Sequence, residues 1–238
     1  MASTGLTTVL LPGLDGTGRM FDPLIAQLPD SLCPRVIAYP TQHMLNYAQL
    51  TDYVLSQLPV AEPFVLIAES FAGPLALQIS TRIGPNLSAM VLCATFVSNP
   101  RPYLAWLAPL LLHESLVSIT PPKWLVRYLG LGFDTPDALL NRVLAVHKQV
   151  AAQVFQHRLQ EVIRMDVREL WRQCRRPMLH LYATHDHTVP LRASREMQRL
   201  RPDIPSIGID GPHLLLQTRA RQCAALIEKF LKEEIGLD

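Results

Sequence analysis

The feature that most constrains this chain is a regular alternation of short apolar runs with longer amphipathic segments. Six runs are rich in Val, Ile and Leu and do not alternate cleanly between apolar and polar residues: Leu6–Leu11, Arg35–Tyr39, Phe64–Ala68, Ala89–Ala94, Met178–Ala183 and Ile204–Ile209. Such runs are typical of strands buried on both faces of a sheet. Helical spacing occurs in the segments between them: Met20–Leu28, Tyr47–Leu58, Pro74–Ile83, Arg192–Leu200 and Leu214–Lys232. The alternation predicts an α/β fold with a mostly parallel six-stranded sheet and helices on both faces.

The alternation is interrupted once, between the fourth and fifth predicted strands. Residues 98–176 contain no convincing strand, carry several prolines and have the texture of several helices. A segment this long is not an ordinary loop, because most connections span only about 4 to 6 residues. We therefore expect a core formed by residues 1–97 and 177–238, with residues 98–176 inserted as a folded helical cap.

Composition excludes several classes of protein. The 238 residues are 49% hydrophobic and 18% charged, which suits one large globular domain or a core with an insert and not a disordered chain. Lys and Arg number 22 against 20 Asp and Glu, so there is no global positive field to hold a nucleic acid. The four cysteines have neither zinc-finger spacing nor the density of a disulfide framework.

Two further features bear on location. The stretch before Arg19 has no basic residue, and the apolar run Leu6–Leu11 is shorter than a signal-peptide core. The most apolar run, Tyr103–Leu112, is about half the length of a membrane span. We expect a cytoplasmic protein without an integral membrane segment, in a compartment that keeps thiols reduced.

The sharpest local motif surrounds Ser70, at the junction of the third predicted strand and the following helix. A serine on a tight strand-to-helix turn needs small neighbours on either side, and Ala68, Ala72 and Gly73 supply them. This pattern is the small-residue form of a nucleophile elbow, in which the N–H of Phe71 would face a developing oxyanion. The ordinary alternative is that Ser70 is a helix N-cap.

Two more residues extend the pattern. Asp186 follows the fifth predicted strand, and His213 follows the sixth after the turn-forming Gly211 and Pro212. Serine, then acid, then histidine, each after its own strand, is the order that places a nucleophile, an orienting carboxylate and a base at one sheet edge. Taken singly, Asp186 could cap the next helix and His213 could be an exposed loop residue.

A glycine-rich turn, Leu11–Gly18, follows the first predicted strand. It would let one backbone N–H point into the site, and the amide of Leu14 is the expected second oxyanion donor beside that of Phe71. The competing interpretation is a phosphate cradle. The glycine spacing fits neither a dinucleotide fold nor a P-loop, and no lysine follows the glycines, so nucleotide binding is disfavoured.

With these motifs in place, nearly the whole chain resembles the α/β-hydrolase superfamily, and within it the small cap-bearing bacterial carboxylesterases that include pimeloyl-carrier-protein methyl ester esterases. The resemblance implies a catalytic triad of Ser70, Asp186 and His213 and an oxyanion hole from the backbone N–H groups of Leu14 and Phe71. It also implies a helical cap between the fourth and fifth strands and no cofactor.

The chain departs from the family pattern at three places. Its first predicted strand corresponds to the family's third, Pro12-Gly13 stands where His-Gly is frequent, and Ala68 and Ala72 replace the elbow glycines. These departures affect the outline of the pocket and the choice of Leu14 more than the type of reaction.

Several other residues have both an ordinary and a functional interpretation. His185 and His187 flank Asp186, but zinc needs a third ligand that no nearby motif supplies, so no metal is expected. Glu69, beside the nucleophile, is expected to have a packing or polar-contact role. The apolar first half of the cap is either core or a substrate pocket, and we expect substrate contacts from Leu14, Trp106, Leu110, Leu111, Trp124 and Leu214.

A series of arginines closes the insert: Arg164, Arg168, Arg172 and Arg176, with Arg158 and Arg175 nearby. The ordinary interpretation is a solvated helix face balanced by Glu161, Asp166 and Glu169. The alternative is a surface for an acidic acyl carrier protein or an anionic substrate.

The expected function is hydrolysis of a small-molecule carboxylic ester through an acyl-enzyme. The same residues would also suit an acyl-thioesterase, a carrier-protein methyl ester esterase, a C–C bond hydrolase, a haloperoxidase-like enzyme or an acyltransferase. An alternative of another class is a catalytically silent protein that binds a hydrophobic ligand under its cap.

Overall fold

The computed structural model describes residues 5–59, 61–103 and 119–236. Its sheet has six strands: β1 (Leu6–Leu11), β2 (Leu32–Val36), β3 (Phe64–Glu69), β4 (Leu87–Cys93), β5 (Met178–Ala183) and β6 (Ser206–Ile209). All neighbouring strands pair in parallel, in the order β2-β1-β3-β4-β5-β6. The predicted α/β fold with a parallel six-stranded sheet is confirmed.

Both faces of the sheet are covered, which explains why the strands read as unbroken apolar runs. Val9 and Leu11 join a buried cluster on one face, and Leu10 joins a separate cluster on the other. All three side chains are fully buried. Removing one such side chain from water stabilises the fold by about 1.5 to 3 kcal/mol, so polar residues are disfavoured on either face.

The helices divide between the two faces. Those of the core are α1 (Asp22–Ile25), α2 (Tyr47–Leu55), α3 (Ala72–Ser80), α8 (Leu191–Leu200), α9 (Leu215–Thr218) and α10 (Ala220–Ile235). Helices α2, α3 and α8 contribute to the cluster around Val9, whereas α1, α9 and α10 contribute to the cluster around Leu10.

The second strand was predicted at the wrong place, because it runs over Leu32–Val36 and not Arg35–Tyr39. It is an edge strand, where Pro34 is tolerated since its missing N–H faces away from a partner. The chain has already left the sheet at Tyr39, whose N–H donates to the carbonyl of Gly16 at 2.7 Å. Two helices also differ from the prediction: α1 is shorter, and the last predicted helix is broken into α9 and α10.

A helical cap lies between β4 and β5. The helices described between β4 and β5 are α4 (Lys123–Val126), a π-helical turn (Arg127–Leu131), α5 (Asp137–His147), α6 (Ala152–Arg164) and α7 (Arg168–Gln173). Of the residues predicted to contact substrate, Trp106, Leu110 and Leu111 lie outside the described residues. Among the helices described, none is long and apolar enough to cross a membrane.

Candidate active site

Ser70 occupies a strained turn between β3 and α3. Its φ of 53° lies in the left-handed region, which costs a non-glycine residue about 1 to 3 kcal/mol. Three hydrogen bonds hold the turn: the Ser70 N–H donates to the Cys93 carbonyl at 2.8 Å, and its carbonyl accepts from the Thr95 hydroxyl at 2.5 Å and the Gly73 N–H at 3.0 Å. Helix α3 starts with no side-chain cap at its N-cap residue Phe71, so Ser70 is not an N-cap.

The structure brings Ser70, His213 and Asp186 into one hydrogen-bonded chain. His213 Nε2 lies 3.0 Å from Ser70 Oγ, and His213 Nδ1 lies 2.6 Å from Asp186 Oδ2. When Nδ1 carries the proton that Asp186 accepts, Nε2 is left to accept the hydrogen of the serine hydroxyl. The side chains come from loops after β3, β5 and β6, all at the carboxyl edge of the sheet.

The Asp186 carboxylate has two tasks, one for each oxygen. Oδ2 contacts His213, while Oδ1 accepts the N–H groups of Thr188 at 2.8 Å and Val189 at 2.7 Å. These backbone bonds close the turn before α8 and fix the direction of the carboxylate. The capping role considered for Asp186 and its contact with the histidine therefore coexist.

His213 is only 6% exposed, so it is not an exposed loop residue. Burial lowers the pKa of its imidazole. The charge and hydrogen bond of Asp186, with a smaller contribution from Glu69, raise this pKa by more than burial lowers it, so the net pKa lies above the usual 6.5. A protonated imidazole is thus stabilised here, which is what a base needs after it takes a proton.

The glycine-rich turn lies against the elbow. A hydrogen bond of 3.0 Å from the Gly16 N–H to the Gly13 carbonyl closes a four-residue turn with Leu14 in it. A Cβ atom at Gly13 would lie 3.6 Å from Ser70 Cβ, so this backbone packs directly on the serine. On the other side, the ring of Phe71 stacks on that of Tyr47 at 4.6 Å, and the Tyr47 hydroxyl donates to the Phe71 carbonyl at 2.9 Å.

A cavity of about 470 Å³ opens onto Ser70 and His213 between core and cap. The core contributes Leu14, Phe71 and Leu214, and the cap contributes mostly aliphatic and aromatic side chains: Val126, Leu129, Val143, Val146, Phe155, Leu159, Val162 and Ile163. The prediction for Trp124 is wrong, because its side chain is 62% exposed and is not among the residues that line the cavity. The short helix α4 turns Trp124 outward and Val126 inward.

Glu69 makes the polar contact expected of it, in an unusual environment. The side chain is 4% exposed; Oε2 accepts from Gln217 Nε2 at 3.2 Å, and within the described structure Oε1 has no hydrogen-bond partner. Burial raises the pKa of this carboxyl to about 7, although His213 and the Gln217 hydrogen bond lower it. Sequence reasoning did not find Gln217, whose contact with Glu69 depends on how α9 packs.

The two histidines beside Asp186 contact different residues. His185 Nδ1 lies 3.0 Å from Asp210 Oδ1, and the His187 ring stacks on Tyr128 at 4.3 Å. In residues 5–59, 61–103 and 119–236, no three His, Cys, Asp or Glu side chains are grouped to hold a metal ion.

The arginine series is not one helix face, because α6 ends at Arg164 and α7 begins at Arg168. Arg168 pairs with Asp166, and Arg172 lies 3.2 Å from Glu169, as the ordinary interpretation predicts. Arg158 behaves differently, since it is only 3% exposed. Its spacing from Val154 and Val162 on α6 places it on the buried face, a signal that sequence reasoning missed.

Comparison with known proteins gives a consistent result. A model of the alpha/beta hydrolase family matches residues 8–226. The biotin biosynthesis bifunctional protein BioHC of Teredinibacter turnerae is 27% identical over 209 residues, which cover 77% of this chain and 36% of that protein. The chain therefore spans about a third of the length of this relative.

Solved structures with the same fold include MenH and two esterases. MenH from S. aureus superposes with a TM-score of 0.80 at 17% identity, covering 96% of this chain and 94% of that one. An esterase from Exiguobacterium antarcticum gives 0.80 at 13% identity, covering 96% and 92%. A thermophilic esterase from Thermogutta terrifontis gives 0.79 at 18%, covering 97% and 91%. At these identities the likeness shows the fold alone, and it is the family match that shows that this chain belongs to the alpha/beta hydrolase family.

Proposed function

We propose that the protein is a serine hydrolase of carboxylic esters, with Ser70 as nucleophile, His213 as general base and Asp186 as its orienting carboxylate. The observation that carries the proposal is the continuous chain of contacts, 3.0 Å from Ser70 Oγ to His213 Nε2 and 2.6 Å from Nδ1 to Asp186. Such a chain lets the hydroxyl lose its proton as it attacks.

Acylation is the first half of the reaction. Ser70 Oγ bonds to the ester carbonyl carbon while its proton passes to His213 Nε2, and the carbonyl oxygen becomes an oxyanion that the N–H groups of Leu14 and Phe71 stabilise. The C–O bond to the alcohol then breaks, and His213 returns the proton to the departing alkoxide. Asp186 stabilises the imidazolium between these two transfers.

Deacylation repeats the sequence with water. His213 takes a proton from water as the oxygen attacks the acyl carbon, and then gives that proton to Ser70 Oγ as the acyl–serine bond breaks. The products of this half-reaction are a carboxylic acid and the free enzyme, and the two half-reactions use only these side chains, the two backbone N–H groups and water.

The lining of the cavity favours a substrate that carries an apolar group. Its volume of about 470 Å³ lies within the usual range for small ligands, and the cap walls facing Ser70 are mainly Val, Leu, Ile and Phe. Short and medium aliphatic esters fit this lining better than polar or highly charged ones.

Steady-state hydrolysis of p-nitrophenyl esters of increasing acyl length tests the proposal. We expect turnover that peaks at a short or medium chain and is lost in Ser70→Ala. Full turnover by the Ala variant would refute the assignment of Ser70. If the protein binds these esters or their acids but does not turn them over, the catalytically silent alternative is correct.

A second candidate is hydrolysis of a thioester or ester carried on an acidic acyl carrier protein. It is favoured by a groove of about 570 Å³ at the junction of α7 and α8, which shares Asn99 and Pro100 with the substrate cavity. Its walls carry four arginines and two acids: Arg168, Arg192, Arg195, Arg199, Asp166 and Glu196.

Salt dependence separates the two candidates. A carrier-bound substrate should show a KM that rises steeply between low and physiological ionic strength, because exposed charges more than about 8 to 10 Å apart are then screened. The double substitution Arg195→Ala and Arg199→Ala should raise the KM for the carrier-bound substrate and leave the KM for a p-nitrophenyl ester unchanged. If the KM for the carrier-bound substrate changes neither with salt nor with these substitutions, recognition of an acidic carrier protein at this groove is ruled out.

A cytoplasmic location is part of the proposal. Cys93, Cys174 and Cys223 are buried thiols that are not joined in disulfides, which fits a compartment that keeps thiols reduced. Fractionation of the source cells with an antibody to the protein tests the location.

A further inference from the structure

Arg158 extends from the cap into the core at the base of the glycine-rich turn. Among the described residues it is the one buried lysine or arginine, with 3% of its surface exposed. Its guanidinium donates to three backbone carbonyls: Nη1 to Leu14 and Asp15, each at 2.8 Å, and Nη2 to Pro40 at 2.9 Å. All three acceptors belong to core loops distant in sequence from α6.

These contacts hold the middle of the turn that packs on Ser70. The turn is closed by the Gly16 N–H bond to Gly13, so Leu14 and Asp15 are its two central residues. Arg158 binds the carbonyls of both. The Leu14 carbonyl belongs to the Leu14–Asp15 peptide plane and the Asp15 carbonyl to the plane after it, so Arg158 restrains both. The Leu14 N–H lies in the preceding Gly13–Leu14 plane, whose carbonyl accepts from the Gly16 N–H, so the restrained turn also sets the direction of the Leu14 N–H.

Electrostatics explains why a cation is needed there. Three carbonyl oxygens converge on one point and would repel one another without a positive group between them. The planar guanidinium presents several N–H donors in fixed directions, which matches several acceptors at once. Burial lowers the pKa of Arg158, and Tyr39 and Asp15 raise it in part, but arginine remains charged at any physiological pH.

Gly16 leaves the space that the guanidinium occupies. A Cβ atom at this position would lie 2.5 Å from Arg158 Nη1 and 2.8 Å from Nη2. The φ of +69° at Gly16 also favours glycine. The core loop is therefore shaped to admit an arginine from the cap.

We propose that Arg158 is a positioning residue for the oxyanion loop, through which docking of the cap holds the Leu14 N–H at the reacting carbonyl. The inference rests on the proposed function and adds a role for the cap beyond lining the cavity. The ester is bound by the apolar walls, whereas the loop matters when negative charge develops on the carbonyl oxygen. Loss of Arg158 should therefore reduce kcat and leave KM nearly unchanged.

The test compares Arg158→Met with Arg142→Met on a p-nitrophenyl ester. Arg142, on α5, pairs with Asp22 and so also joins cap to core, but it touches neither the turn nor the cavity. We expect Arg158→Met to lower kcat by about 10- to 100-fold, as a misplaced catalytic group does, with KM changed less than about 3-fold. Arg142→Met should retain the kcat of the unmodified protein. A general loosening of the cap would affect both variants and raise KM.

Chemical rescue adds a readout that a purely structural role would not move. In Arg158→Ala the three carbonyls face an empty space the size of a guanidinium, and millimolar guanidinium chloride should restore part of kcat. The same salt should not stimulate Ser70→Ala or Arg142→Met. If Arg158→Met does not fold, Arg158→Lys decides, with a reduced kcat and an unchanged KM expected.

The outcomes distinguish this inference from the proposed function. If the unmodified protein turns over the ester and Arg158→Met keeps its kcat within about 3-fold, or loses activity through KM alone, Arg158 does not position the loop. Should Arg158→Lys be the deciding variant, a kcat equal to that of the unmodified protein overturns the inference. If the unmodified protein neither turns over esters nor reacts with a fluorophosphonate, the proposed function itself fails.

Discussion

At the scale of single residues, strain concentrates where β3 and β4 end. Ser70 and Ala94 have φ values of 53° and 48°, and both lie at the edge of the sheet where the site is built. Their turns are joined, because the Ser70 N–H donates to Cys93 and the Thr95 hydroxyl donates to the Ser70 carbonyl. Ser70 is thus held by its neighbouring strand as well as by its own helix.

Substituting Gly73 tests how tightly the elbow is packed. A Cβ atom there would lie 2.0 Å from Thr95 Oγ1, so we expect Gly73→Ala to destabilise the fold by about 1 to 3 kcal/mol, as overpacking does. Helix propensity alone predicts the opposite sign, since alanine is better than glycine within a helix by about 1 kcal/mol. Urea denaturation of the variant measures the difference.

Gly84 is the matched control, because a Cβ atom at this position meets nothing within 4 Å. Gly84→Ala should change stability by no more than about 0.5 kcal/mol. Equal stabilities for the two alanine variants would contradict the tight contact between Gly73 and Thr95.

Glu69 makes stability depend on pH. Its pKa rises from 4.5 to about 7 in the folded state, so the unfolded chain loses the proton first as pH increases. The free energy of unfolding should then fall between these two pH values, by about 3 kcal/mol in total. In Glu69→Gln this loss is absent. The free energy of unfolding of the variant, relative to that of the unmodified protein, should therefore increase as pH rises from 4.5 to 8.

Urea denaturation at pH 5 and pH 8 measures that gain. Glu62 is exposed and provides the control, since Glu62→Gln should follow the unmodified protein at both pH values. A constant difference between Glu69→Gln and the unmodified protein would mean that Glu69 does not titrate abnormally.

The order of residues in the sequence predicted which side chains would share the sheet edge, because parallel strands bring their carboxyl ends together. Ser70, Asp186 and His213 were found in this way. The spacing of Arg158 from Val154 and Val162 indicates a buried position on α6. The hydrogen bonds of Arg158 and Gln217 were not predictable, because they depend on the rotation of α6 and α9 against the core. A buried arginine bonded to carbonyls has no motif of its own.

At the scale of elements, one helix of the segment between β4 and β5 packs as the core helices do. Helix α7 falls within the predicted cap of residues 98–176, yet its Trp171 is fully buried against α3 and α8, and its Nε1–H donates to the Met197 carbonyl at 3.0 Å. We therefore propose that the cap proper ends near Arg164 and that α7 belongs to the core.

Two tryptophans provide the test of this boundary. Trp171→Ala should cost about 3 to 5 kcal/mol, because it removes a large side chain from the core. Trp124→Ala, in α4 of the cap, should stay within about 0.5 kcal/mol, since that side chain is 62% exposed. Thermal denaturation of both variants checks the contrast, and a small loss for Trp171→Ala would place α7 with the cap.

The elements that sequence reasoning misplaced share a physical cause. Strand β2 lies at the edge of the sheet, where a proline and polar residues are tolerated and the apolar signal is weak. The inward and outward sides of α4 could not be read from four residues, which is why Trp124 was predicted to line the cavity. Strongly buried strands such as β3 and β5 were predicted to within a residue.

At the scale of the whole molecule, the cavity belongs to neither part alone. Core loops supply Ser70, His213 and the glycine-rich turn, and cap helices supply most of the apolar wall. Hydrogen bonds such as that from the Leu214 N–H to the Gly130 carbonyl, 2.9 Å, join the two across the site. The volume and shape of the cavity follow from how the helices cross, so the chain order predicted which side chains meet at its floor but not the size of the cavity.

The most direct measurement of the central claim is the mass of the intact protein after reaction with a fluorophosphonate, followed by mapping of the modified peptide. We predict one adduct per chain, on Ser70, its formation slowed strongly in His213→Ala and abolished in Ser70→Ala. An unmodified protein, or an adduct at another residue that persists in Ser70→Ala, would contradict the account.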